Sequence, residues 1–319
     1  MQALRPGGPE VLSFGAIPLG RPGPGEVLVR HTAIGVNFID VYQRAGLYPI
    51  DTPFVPGNEG AGVVEEVGEG VTSVRPGNRV ATVNLRGTYV ERRVAPESSL
   101  VAIPDGVTDE VAAAALLKGM TAEYLLRRTH AVGPGTTILF HAAAGGVGLI
   151  ACQWAAALGA TVIGTVGSQE KAALARANGC HHVIDYRTED FVARVKDITG
   201  GRGVDVAYDS VGKDTFPATL DTLRPRGLWV SFGNSSGPVP PFSPLILSQK
   251  GSLFMTRPTL GHYTATRAEL EASAAALFDV IRSGAVAVHV GGRFALADAA
   301  DAHRALEARQ TAGSTILVP

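Results

Sequence analysis

Residues 136–148 read TTILFHAAAGGVG. An apolar run suited to a strand is followed by one histidine, three alanines and Gly-Gly-Val-Gly. Small residues crowded behind a buried strand mean that something comes too close to the backbone for side chains to intervene. A dinucleotide fingerprint puts three small residues at such a turn: one to bend it, one to admit a pyrophosphate, one to pack the helix on the sheet. Those positions hold Ala143, Gly145 and Gly148, so alanine replaces the first glycine. Taken alone, the loop also fits a glycine-rich turn in some other α/β protein. Its surroundings decide.

Downstream, strand-like and helix-like segments alternate. TTILF precedes VGLIACQWAAALG, TVIGT (161–165) precedes SQEKAALARANG, and HHVIDY (181–186) precedes EDFVARVKDIT. VDVAYDS (204–210) precedes KDTFPATLDTL, read as a helix, and GLWVSFG (227–233) leads on to SLFMT (252–256). Strands that are apolar throughout imply a parallel sheet covered on both faces, and six of them fit a doubly wound sheet. In that setting the glycine loop opens a helix whose first amides face an anion. The expectation is a nucleotide.

Upstream the texture differs. EVLVRHTAI (26–34), GAGVVEEVG (60–68), NRVATV (78–83) and GTYVERRVA (87–95) are short valine-bearing runs separated by Pro-Gly and Glu-Gly turns. They predict a curled, partly barrelled antiparallel sheet. NFIDVYQRA (37–45) is the exception and predicts helical turns starting at Asn37. TDEVAAAALLKGMTAEYLL predicts a helix capped by Thr108. After residue 265 two helix-like segments and a final strand, STILVP, are too little for a domain and are expected to return to the first one.

Composition excludes several function classes. With 28 basic and 29 acidic residues the net charge is −1, which leaves no footprint for nucleic acid. Two distant cysteines, Cys152 and Cys180, make a poor disulfide framework. The N-terminal MQALRPGGPEVL lacks a secretory core, and no apolar run reaches membrane-spanning length. A soluble, cytoplasmic protein is expected.

The cofactor is narrowed by what is missing. An NAD site offers an acid at the tip of the second strand, but TVIGTVGSQEKAA has none before Gly167. Lys171 follows instead, either an exposed helix lysine or a partner for a 2′-phosphate. The expected cofactor is NADPH. Metal is excluded by inventory. Catalytic zinc needs three protein ligands and structural zinc four, yet the first hundred residues contain no cysteine and one histidine, His31.

Eight stretches in order carry a resemblance: GVNFIDVYQRAGLYP (35–49), VPGNEGAGVVEEVG (55–68), LLKGMTAEYLL (116–126), FHAAAGGVGLIACQWA (140–155), VIDYR (183–187), YDSVG (208–212), VSFGNSSG (230–237) and GSLFMTRP (251–258). The chain resembles the zinc-free, NADPH-dependent quinone oxidoreductases, the zeta-crystallin-like branch of the medium-chain dehydrogenase/reductase superfamily, over essentially its whole length. That resemblance implies a GroES-like domain formed by residues 1–120 and 262–319, and a Rossmann domain formed by 121–261, with the cofactor in the cleft between them. Where the zinc enzymes have a cysteine and a histidine ligand, this chain has Asn37 and Asn58.

The resemblance also assigns roles. Asn37, Asp40, Tyr42 and Tyr48 are expected at the reacting centre, with Asn37 and Tyr42 also touching the cofactor. Ala144, Gly145, Gly146, Val147 and Gly148 are expected around the pyrophosphate. Thr165, Gly167, Lys171, Tyr186 and Arg309 are expected toward the adenosine phosphate. Thr121, Ser210, Phe232, Gly233, Asn234, Phe254, Met255 and Thr256 complete the set. Plainer readings stand beside these: Asn37 and Asp40 are common helix caps, the two tyrosines common half-buried aromatics, and Arg309 an ordinary helix-end arginine. His141, next to the loop, reads better as a positioning residue than as a general acid. The expected reaction is quinone reduction by NADPH in a homodimer joined through cofactor-sheet edges at GSLFMT (251–256). The alternatives are reduction of the C=C bond of enones and enals or, more remotely, a non-enzymatic or RNA-associated NADPH-binding role.

Overall fold

A computed structural model describes residues 1–319. The chain divides into two compact units, one of Met1–Met120, Tyr263–Ser283 and Val288–Pro319, the other of Thr121–His262 and Gly284–Ala287.

The first unit is built on a seven-stranded sheet. Its path runs Val290–Ala295, Ser314–Val318, Glu26–Val36, Glu59–Val67, Arg79–Val83 and Leu100–Ala102, while Arg92–Pro96 pairs with the start of Glu26–Val36. Pairing is antiparallel except between the first two strands. One face is closed by Val27, Val29, Val64, Val80, Ala95 and Leu100. A second cluster joins Ile34, Val36, Tyr89, Leu296, Ala302 and Leu317, so the C-terminal segment is integral to this unit. Helix Arg267–Arg282 starts in a capping box of Thr266 and Glu269. Of the strand expected over 87–95, only Arg92–Pro96 forms. Gly87 and Tyr89 instead donate their amides to Gly57 and Pro56 carbonyls, which buries the Tyr89 ring.

The second unit is a six-stranded parallel sheet in the spatial order His182–Asp185, Thr161–Val166, Thr137–Phe140, Val204–Asp209, Leu223–Ser231, Phe254–Thr256. Counting strands along the chain, this is the doubly wound order 3-2-1-4-5-6. Leu139, Ile163, Ile184, Ala207 and Trp229 fill its core. The expected helix over 213–223 does not form. Only Ala218–Thr222 coils, as a 3-10 turn. Pro217 has no N–H and its ring would strike the carbonyl four residues back in a continuous helix. The hydroxyls of Thr219 and Thr222 bond back to Thr215 O and Thr219 O at 3.0 and 2.7 Å.

Candidate active site

In the first unit a long strand ends at Val36 and helix Phe38–Ala45 begins at once, with Asn37 as its N-cap. Asp40, three residues on, accepts the Asn37 backbone N–H at 2.8 Å, which satisfies an orphan amide of the first turn. That carboxylate also accepts Asn58 Nδ2 at 2.6 Å and Tyr89 Oη at 3.2 Å. Asn58 Nδ2 further donates to Gln43 Oε1 at 2.8 Å. Beside this cluster Glu59 Oε2 takes Asn37 Nδ2 at 2.9 Å and Lys118 Nζ at 3.0 Å, and Glu59 Oε1 takes the Leu117 amide at 2.6 Å. Gly35 makes room for this arrangement, because a Cβ there would lie 2.2 Å from Glu59 Oε2.

All five side chains, Asn37, Asp40, Asn58, Glu59 and Lys118, are buried. Burial pushes Asp40 up to about 6, against the pull of its three donors and of Lys118. The two asparagines turn their amide nitrogens to carboxylates and leave no nitrogen or sulfur lone pair for zinc. No group of three or more His, Cys, Asp and Glu side chains is arranged to hold a metal ion. Tyr42 and Tyr48 meet edge to face with ring centroids 5.3 Å apart; Tyr42 is buried and Tyr48 is 37% exposed.

Three residues extend this cluster that the sequence reading did not single out: Tyr89, Arg44 and His303. Tyr89 Oη lies 3.0 Å from His303 Nε2, and His303 Nδ1 lies 3.1 Å from Arg44 Nη1. Glu307 clamps Arg44 through both carboxylate oxygens at 2.8 and 3.0 Å. His303 and Glu307 stand four apart on one helix, which is the only local signal that they act together.

In the second unit the glycine loop follows strand Thr137–Phe140. Gly145 is the N-cap of helix Gly146–Ala157, and the first helical bond runs from Leu149 N to Gly145 O at 2.9 Å. The amides of Gly146, Val147 and Gly148 therefore lie in the first turn, where a helix start favours an anion. A Cβ on Gly148 would lie 2.4 Å from Ala142 O, so this glycine sets how closely helix and turn pack. The alanine at the first fingerprint position also has an account. A Cβ on Gly164 of the neighbouring strand would lie 2.6 Å from Ala143 Cβ. The methyl group sits in the space that Gly164 leaves.

His141 braces this loop from behind. Its Nδ1 lies 2.9 Å from Thr165 Oγ1 and its Nε2 3.0 Å from Thr219 Oγ1. Thr219 Oγ1 donates to Thr215 O, so it accepts from His141 Nε2–H. Burial lowers the His141 pKa. Both ring nitrogens are spent and the residue is buried, which is the geometry of a brace. Thr165 shares that role: its hydroxyl meets His141 and its carbonyl accepts the Ala143 amide at 3.0 Å.

At the tip of the second strand Gly167 lies against Tyr186 and Ser168 caps helix Gln169–Ala177 by accepting the Lys171 amide at 3.2 Å. The structure thus brings Lys171 and Tyr186 to the same end of the sheet. Arg309 belongs to the first unit, just past helix Ala299–Glu307, at φ +58°. On the other side of the sheet, buried Asp209 holds the turn containing Ser210 by accepting Val211 N, Gly212 N and Thr215 Oγ1 at 2.8, 3.1 and 2.8 Å. A Cβ on Gly233 would lie 2.4 Å from Ser210 O, so the turns carrying Ser210 and Phe232-Gly233-Asn234 touch. Arg257 Nη1 ties the second turn down at Gly233 O, 3.0 Å. Thr121 is buried in helix Asp109–Tyr124. Phe254 and Met255, in the edge strand, are 62% and 37% exposed.

The chain is similar to known proteins along its length. The alcohol dehydrogenase GroES-like domain family matches residues 23–135, and the zinc-binding dehydrogenase family matches residues 146–279. A quinone oxidoreductase of Pseudomonas aeruginosa is 55% identical, over 98% of this chain and 97% of the relative. A 2-haloacrylate reductase of a Burkholderia species is 49% identical, over 98% of this chain and 96% of the relative. The crystal structure of Escherichia coli quinone oxidoreductase complexed with NADPH superposes with a TM-score of 0.98 at 48% identity, covering 100% of this chain and 99% of that one.

Proposed function

The chain belongs to the quinone oxidoreductase branch of the medium-chain dehydrogenase/reductase superfamily, and from that premise we propose that it catalyses the NADPH-dependent reduction of quinones without a metal. The observation that carries the cofactor choice is the tip of the second strand, where a bare Gly167, Tyr186 and Lys171 stand in place of a ribose-binding carboxylate. When bound, the dinucleotide supplies hydride. Everything else is done by this chain.

The first-turn amides of Gly146, Val147 and Gly148, with Ala144 and Gly145 before them, hold the pyrophosphate. Lys171 and Tyr186 hold the 2′-phosphate, with Gly167 and Thr165 shaping the turn beneath. Thr121, Ser210, Phe232, Gly233, Asn234 and the segment Phe254–Thr256 of the second unit fix the rest of the dinucleotide. Asp40 and Glu59 orient the Asn37 and Asn58 amides, and Tyr48 with Tyr42 offers an aromatic wall to a flat acceptor. Orientation, exclusion of water and hydrogen bonds to the acceptor oxygen lower the barrier as charge develops there. A reduced quinone oxygen is basic and takes its proton from solvent, so no buried acid is required.

The 2-haloacrylate reductase relative favours one second reading, reduction of an activated C=C bond. Rates with NADPH and NADH on 1,4-benzoquinone, 9,10-phenanthrenequinone and 2-alkenals separate the two. Quinone turnover that prefers NADPH is expected; faster turnover of alkenals assigns the chain to the second reading.

The active form is a homodimer paired along strand Phe254–Thr256. That edge of the parallel sheet leaves one side of its backbone without a neighbouring strand and exposes Phe254 and Met255. Sedimentation at micromolar protein tests it, and a monomer there contradicts it. No helix is long and apolar enough to cross a membrane. Residence in the cytoplasm is part of the same reading.

A further inference from the structure

Asp40 stands at the end of a buried chain of hydrogen bonds that starts at Glu307. Glu307 holds Arg44; Arg44 Nη1 meets His303 Nδ1 at 3.1 Å; His303 Nε2 meets Tyr89 Oη at 3.0 Å; and Tyr89 Oη meets Asp40 Oδ2 at 3.2 Å. Each link has one possible direction. A guanidinium only donates, so His303 Nδ1 accepts, and a neutral imidazole then carries its proton on Nε2. That proton goes to the Tyr89 oxygen. The tyrosine's own proton is left with Asp40 as its acceptor.

We propose that His303 is a positioning residue for Asp40: by donating to Tyr89 it commits the tyrosine proton to the Asp40 carboxylate and keeps that group an anion in the site. The functional part of this proposal rests on the reading that Asp40 lies at the reacting centre. An anionic Asp40 accepts from Asn37 and Asn58 at once. A protonated Asp40 needs an acceptor itself and lets those amides turn.

The surroundings keep the direction constant. Burial and Arg44 push His303 down to about 3, so it stays neutral through the working range. Burial, then Asp40, push Tyr89 well above its ordinary value, so it keeps its proton. The charged groups packed around Asp40 are Lys118 and Glu59 on one side and Arg44 on the other, with Glu307 behind Arg44. None reverses a link in the chain. Arg44, His303 and Tyr89 are buried, which shields the chain from competing water.

The test uses the full-length protein. Nitrogen-15 spectra of histidine-labelled protein, with His303 assigned by its loss in His303→Gln, report the tautomer directly. A protonated Nε2 and bare Nδ1 are expected; a protonated Nδ1 overturns the proposal. Carbon-13 carboxyl titration then gives the Asp40 midpoint. Tyr89→Phe is expected to raise it by about one pH unit, tenfold in proton affinity. His303→Gln is expected to leave it in place, because glutamine accepts from Arg44 and donates to Tyr89. An Asp40 midpoint that does not move in Tyr89→Phe overturns the proposal. The acid limb of quinone reduction should follow the same midpoint in both variants. A midpoint that moves while the activity profile stays flat supports the chain of bonds and refutes instead the placement of Asp40 at the reacting centre.

Discussion

A Cβ on Gly167 would lie 2.4 Å from the hydroxyl oxygen of Tyr186. The ring from the end of the third strand thus occupies the space a side chain would take at the end of the second. Gly167→Ala must displace Tyr186, and since the contact is the far end of a partly exposed side chain, the fold should survive. The expected outcome is a smaller preference for NADPH over NADH with an unchanged melting temperature. Dissociation constants for both cofactors check it; a loss of melting temperature would instead make Gly167 a packing residue.

Lys171 is capped into place at the same turn. A charge-assisted bond to a phosphate contributes about 1.5 to 3 kcal/mol, so Lys171→Ala should weaken NADPH binding about ten- to a hundred-fold. NADH has no phosphate to lose and should bind as before. Titrating both cofactors into both proteins decides. A parallel loss would assign Lys171 to the pyrophosphate or to the fold.

Glu59 and Lys118 form an ion pair with almost no exposure to water. Removing one partner leaves the other charged and buried, which costs about 3 to 5 kcal/mol. Lys118→Met should therefore lower stability by that amount in urea denaturation. Adding Glu59→Gln should restore part of it, because the glutamine carries no charge and its single amide oxygen still accepts the Leu117 amide. Additive losses in the double variant would count against the pair.

Buried histidines, His31 and His303 among them, set an acid limit. Burial holds His31 at about 4, and burial with Arg44 holds His303 at about 3. As pH falls below 6.5 the unfolded chain takes up protons that the folded chain refuses, so stability declines from there toward those values. Asp40, raised to about 6, works the other way: the folded chain binds its proton first, and the group adds stability as pH falls from 6 toward 3.8. Each histidine contributes about 1.4 kcal/mol per pH unit. His303→Gln should thus shrink the loss between pH 6.5 and 5 by about 2 kcal/mol. Denaturation at both pH values measures it, and an unaltered pH slope would mean that His303 protonates freely in the fold.

The sequence by itself determined the architecture of both units and the cofactor loop. Strand and helix alternate with periods that neighbouring residues alone define, so a parallel, doubly wound sheet was legible from 136 onward, while its strand order came from the structure. Gly148 was legible because close backbone approach leaves only that residue. The helix misread at 213–223 also had a local cause, Pro217, which the alternating pattern outweighed in the reading. Tertiary structure alone decided the buried polar network. Asn37 meets Glu59 22 residues away, Tyr89 meets His303 214 away, and Arg44 meets Glu307 263 away. A hydrogen-bond partner at such separation leaves no periodicity, and burial, which makes each partner obligatory, exists only once the sheet has closed around it. The same holds for Ala143, whose tolerance in a glycine position depends on Gly164 in the adjoining strand.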